Sequence, residues 1–175
     1  MTQRPIAGED YAEYFQHYVG LVPDGRVLHQ LAQQDLRMQR LLAANEHKGD
    51  FAYAEGKWTV KRLVLHLADT ERMFCYRAMC IARGDAQQLP GFDENAYASN
   101  DGSDHRTLAS VVEDYAAVRA ATVTLFGGLH DAAWQRRGIA SGQPIAVRAL
   151  PWIVLGHDLH HYGVLQERYG LVTPA

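Results

Sequence analysis

Residues 56–85 read GKWTVKRLVLHLADTERMFCYRAMCIARGD. Thr59 suits a helix N-cap, because its hydroxyl can accept from a first-turn N–H that has no partner inside the helix. Val60, Leu63, Val64, Leu67, Phe74 and Ile81 follow at helical spacing and make one apolar stripe. Gly84-Asp85 stops the run. A helix of about 25 residues, roughly 37 Å long, is implied. His66 falls in its middle, among Val64, Leu65 and Leu67, with Asp69 and Thr70 one turn further on the same side.

Three more helices emerge on either side. One runs from Val27 to Ala44, carrying Leu28, Leu31, Leu36, Met38, Leu41 and Leu42. A short helical piece, Tyr11 to Tyr18, precedes it across the turn Pro23-Asp24-Gly25. The third spans Leu108 to Leu129, and the last about Pro151 to Tyr169, with Pro151 in its first turn and Gly170 as its stop. A polar loop, Gln87 to His105, separates the second helix from the third. The stretch from Trp134 to Val147, with Gly138, Gly142 and Pro144, is a long connection with room for a short extended pair. No β-alternation persists over a useful length. Four long amphipathic helices and two long loops predict an all-α four-helix bundle. At 175 residues the expectation is one domain over residues 1–175.

Composition narrows the function classes. A net charge of −3 and a pI near 6.3 leave no basic footprint for nucleic acid. No apolar run is long enough to span a membrane, and MTQRPIAGEDYAEYF has no signal-peptide core. A cytoplasmic protein is expected. Cys75 and Cys80 lie five apart in one helix, a rise of about 7.5 Å with diverging side chains, so reduced, packed thiols are expected.

The chemistry lies in the nine histidines. His17, His29, His47, His105 and His130 stand singly in polar surroundings and read as surface residues. Leu155-Gly156-His157-Asp158-Leu159-His160-His161-Tyr162 differs. His157 and His161 are four apart, hence one turn apart on one helix face, flanked by Val154, Val164 and Leu165. Two imidazoles turned inward are costly unless partnered, and a divalent transition metal would partner both. His66 is the candidate third ligand. Asp69 is placed either to orient an imidazole or to pair at the surface with Arg72 or Arg62. The run also mimics a His-Glu-x-x-His protease helix. Its carboxylate is one methylene short, and no histidine follows His161.

Gly56 to Arg72, Ala82-Arg83-Gly84-Asp85, Leu89-Pro90-Gly91-Phe92-Asp93-Glu94, Gly156 to Gly163 and Gln166-Glu167-Arg168-Tyr169 together resemble the DinB-like (YfiT-type) metalloenzyme superfamily. The likeness spans about residues 10 to 170. It implies an up-down-down-up bundle with three histidines around a metal, carried here by His66, His157 and His161. His160 has no place in that triad, and Asp158 stands where the family often has Glu. It also implies one divalent ion per chain, zinc or nickel, a small-molecule substrate that in some relatives is a low-molecular-weight thiol, and a homodimer. Apolar residues on a second face of the third helix, Val111, Val112, Val118 and Val123, agree with a dimer.

Three nitrogen ligands leave an open coordination position, as catalytic zinc sites do. A metal-dependent transferase or hydrolase is therefore the first reading. A non-catalytic, metal-stiffened binding or regulatory bundle is the second. A fourth ligand from Asp69, Glu71 or Asp158 would instead make the site structural. The loop Leu89 to Tyr97 either borders the opening or only connects helices.

Overall fold

A computed structural model describes residues 4–173. Seven α-helices occur among these residues: α1 (Gln16–Leu21), α2 (Val27–Ala44), α3 (Val60–Arg83), α4 (Glu94–Ala98), α5 (Leu108–Gly127), α6 (Asp131–Trp134) and α7 (Leu150–Glu167). The four long ones, α2, α3, α5 and α7, form the bundle. The Thr59 hydroxyl accepts from the Arg62 N–H and starts α3, a cap worth about 1 kcal/mol. Gly84 ends it in the left-handed region at φ 88°, with its N–H returned to the last turn. That conformation is open to glycine and strained for other residues.

Around the bundle the order is α2, α5, α3, α7. Glu71 of α3 meets Arg119 of α5, and Cys75 meets Thr122, so these two helices run parallel. His66 meets His157, whereas Phe74 lies level with Val154, so α3 and α7 run antiparallel. Leu31 of α2 meets Arg119, and Gln34 meets Asp158 of α7. The topology is up-down-down-up, as the family resemblance implies.

The apolar core is divided. One cluster gathers Leu31, Phe74, Ile81, Phe126, Leu150 and Trp152; the other gathers Met38, Leu41, Leu63, Leu67, Val111 and Leu165. Between them every bundle helix contributes buried polar groups: Gln34, His66, Thr70, Glu71, Arg119, Thr122, His157 and Asp158. The polar layer therefore sits at mid-height and registers all four helices at once.

Two features differ from the sequence expectation. The Trp134–Val147 connection holds the short extended pair for which it had room, β2 (Arg137–Ala140) antiparallel to β3 (Gln143–Ala146), but β1 (Gln88–Leu89), from the polar loop, adds a third strand parallel to β2. Strands of two to four residues are too short to show a two-residue period. Ser141 and Gly142 both have positive φ, 53° and 74°, and form the tight hairpin turn. The first helical piece begins later than expected, as a 3-10 turn (Glu13–Phe15) leading into α1. Of the α5 valines, Val111 and Val118 are buried in the bundle, whereas Val112 and Val123 are only half-buried. Cys75 and Cys80 are free thiols.

Candidate metal centre

α3 and α7 bring His66, His157 and His161 together across the bundle. One ring nitrogen from each lies within 4.8 Å of the others. His66 Nε2 and His157 Nε2 are 3.2 Å apart. Zinc–nitrogen bonds of about 2.0–2.1 Å in a tetrahedral arrangement set neighbouring nitrogens roughly 3.3 Å apart. His66 and His157 are 7% and 8% exposed, and His161 is half-buried.

Burial lowers the proton affinity of all three rings. Desolvation brings His66 down to about 4. Desolvation, with the neighbouring His66 and His160, brings His161 down to about 3. His157 is also driven well down, by desolvation and then by His161, His66 and His160. Neutral imidazole, the form that binds a metal, is therefore the resting state.

The donor set fits a divalent transition metal on a further observation. His161 Nδ1 is buried without a hydrogen-bond partner among the described residues, an arrangement that costs free energy unless something else satisfies it. Thr70 Oγ1 lies 3.5 Å from His66 Nδ1 and steadies that ring. The Trp58 ring stands 4.9 Å from the His66 ring, and Tyr18 stands 5.3 Å from the His157 ring, edge-on.

The three carboxylates that sequence reasoning held in reserve as a fourth ligand are engaged elsewhere. Asp69 pairs with Arg72 at 3.0 Å. Glu71 accepts from Arg119 through both oxygens, at 2.8 Å for the closest contact. Asp158 accepts from Gln34 at 2.9 Å, from Arg119 at 2.6 Å and from the Tyr115 hydroxyl. Burial works against the charge on Arg119, but the Tyr115 oxygen and the two carboxylates outweigh it and hold the guanidinium charged.

His160 points away from the triad. Its Nδ1 lies 3.3 Å from Nε2 of the exposed His17, so His17 has a neighbour that a solitary surface reading does not supply. The contact exists because α1 lies directly on α7 at Gly156. A Cβ there would stand 2.0 Å from the Tyr18 carbonyl oxygen. Sequence reasoning missed this role of α1, although a glycine inside a helix next to His157 was the available sign.

A cleft of about 330 Å³ opens beside His161, walled by Tyr53, Lys57, Trp58, His160 and Arg168. Asn95 of α4 also reaches it, so the loop Leu89 to Tyr97 borders the opening.

Fold and site together define a four-helix-bundle protein with a buried three-histidine cluster drawn from two helices. The chain belongs to the DinB superfamily, whose sequence pattern matches residues 27–165. No curated protein matches it significantly. Among solved structures, YfiT from Bacillus subtilis is described as a probable metal-dependent hydrolase with an unusual four-helix bundle topology. It aligns with a TM-score of 0.65 at 18% identity, over 98% of this chain and 94% of its own. A mycothiol-dependent maleylpyruvate isomerase aligns with a TM-score of 0.67 at 16% identity, over 89% of this chain and 64% of its own. At these identities the likeness shows the shared fold.

No helix among the described residues is long and apolar enough to cross a membrane.

Proposed function

We propose that this protein is a metal-dependent enzyme, a thiol-dependent transferase or a hydrolase, holding one divalent ion, zinc or nickel, on His66, His157 and His161. The observation that carries the reading is the gathering of three neutral ring nitrogens within 4.8 Å, beside a cleft that His161 helps to line. An ion held there supplies Lewis acidity toward a thiol or a water. The chain's own part is to keep the imidazoles neutral by burial, and to hold the rings with Thr70, Trp58 and Tyr18. It also ties Asp69, Glu71 and Asp158 to arginines, so that no carboxylate closes the site.

The descriptions of the two solved neighbours support the two reaction types: one is a probable hydrolase and the other depends on a thiol. A cytoplasmic homodimer is the proposed form. Its dimeric state rests on the family resemblance, and sedimentation equilibrium showing only monomer would reject it.

A cobalt-substituted sample tests the reading directly. Added thiol should change its visible spectrum, and a thiol-conjugation screen should give turnover only when metal is present. A spectrum inert to added thiol, together with the same screen results before and after chelation, would leave a non-catalytic bundle instead.

A further inference from the structure

The cleft beside His161 has an unusual charge. The chain carries 20 Asp and Glu against 17 Lys and Arg, yet no acidic residue lines this opening, whereas Lys57 and Arg168 both do. Neither cation makes an ion pair among the described residues. Arg168 is nevertheless positioned. Its guanidinium carbon lies 5.9 Å from the centre of the Tyr53 ring, and its Nη1 lies 3.5 Å from the Tyr53 hydroxyl. Those neighbours hold the group without cancelling its charge.

A helix C-terminus favours a cation, and Arg168 caps α7. That accounts for one of the two charges. It does not account for Lys57, which comes from the loop before α3, nor for the absence of acids from the lining of the cleft. Tyr53 and Trp58 add flat walls to the same opening. His161 and Arg168 are seven residues apart on one helix, two turns or roughly 10 Å along the axis.

We propose that the substrate is a small molecule with a terminal carboxylate or phosphate. Arg168 and Lys57 receive that anion at the rim, the aromatic walls cover the body of the molecule, and its reactive end reaches the histidines. This rests on reading the histidine cleft as the active site. Arginine suits the task because its planar fork can engage two oxygens of either anion at once.

The test uses three probes that share a phenyl body: hydrocinnamate, phenethyl phosphate and neutral hydrocinnamamide. Each is titrated calorimetrically into the protein as purified and again after chelation, which removes direct ligation to a metal. Metal content is measured on the same samples. At least one anion should bind about tenfold more tightly than the amide in both states, equivalent to about 1.4 kcal/mol. The tighter of the two anions identifies the class. The preference should vanish in the Arg168→Gln/Lys57→Gln double variant while amide binding is unchanged; both side chains are exposed, so the fold should persist.

Equal binding of amide and anions, no binding of either anion, or a preference that survives the double substitution would overturn the proposal. A protein that takes up no zinc or nickel when loaded, yet still prefers anions, would sink the metal reading alone. A metal-loaded preparation without the preference would sink this one alone.

Discussion

Arg119 Nη2 lies 2.6 Å from Asp158 Oδ2, with both side chains almost fully buried. The same guanidinium binds Glu71 and the Leu31 carbonyl, so one residue of α5 fastens α3, α7 and α2 together. Removing it strands two carboxylates in the core. Arg119→Met should therefore cost about 3–5 kcal/mol, the range for breaking a buried ion pair from one side. Urea unfolding measures this. A loss below about 1 kcal/mol would mean that the carboxylates find other partners or take up protons.

Gly156 makes a second prediction. A methyl group there would collide with the Tyr18 carbonyl, which is backbone and cannot step aside alone. Gly156→Ala should push α1 off α7 and cost about 1–3 kcal/mol, the range for overpacking a core. Amide hydrogen exchange should show lost protection in Gln16–Leu21. Unchanged protection would contradict the close approach.

Much of this arrangement was legible in the residues, for physical reasons. α3 could be bounded because Thr59 and Gly84 carry their own local signals. The histidine pair stood out because a four-residue spacing fixes which side chains share a face. The polar layer was not legible. Gln34, Glu71 and Arg119 each look like ordinary polar positions on an amphipathic helix, and their partners lie 124, 48 and 39 residues away along the chain. Nothing local separates a buried charge from a solvated one. Asp158 likewise has a role that only the packing of other helices decides, whereas the Asp69–Arg72 pair is local to α3 and was one of its two readings. The third strand was missed because Gln88–Leu89 is shorter than the period that reveals a strand.

The metal-free protein should weaken in mild acid. His66 and His161 have folded proton affinities of about 4 and about 3, below their ordinary 6.5. The unfolded chain therefore takes up protons first as the pH falls. Their contribution to stability is complete above about 6.5 and is lost as the pH falls toward those folded values. Urea midpoints of the chelated protein should drop between about pH 7 and about pH 5, and drop less in His66→Gln. An equal drop in both proteins would mean that His66 is not the buried neutral group described here.

Metal content per chain, measured by inductively coupled plasma mass spectrometry after loading and desalting, tests the central claim most directly. One zinc or nickel ion per chain is expected in the native protein. His66→Ala should lose most of it and His160→Ala, whose ring faces His17 rather than the triad, should keep it in full. Circular dichroism on the same samples would show that each variant is folded. Full occupancy in folded His66→Ala, or loss of metal from folded His160→Ala, would contradict the three-histidine centre.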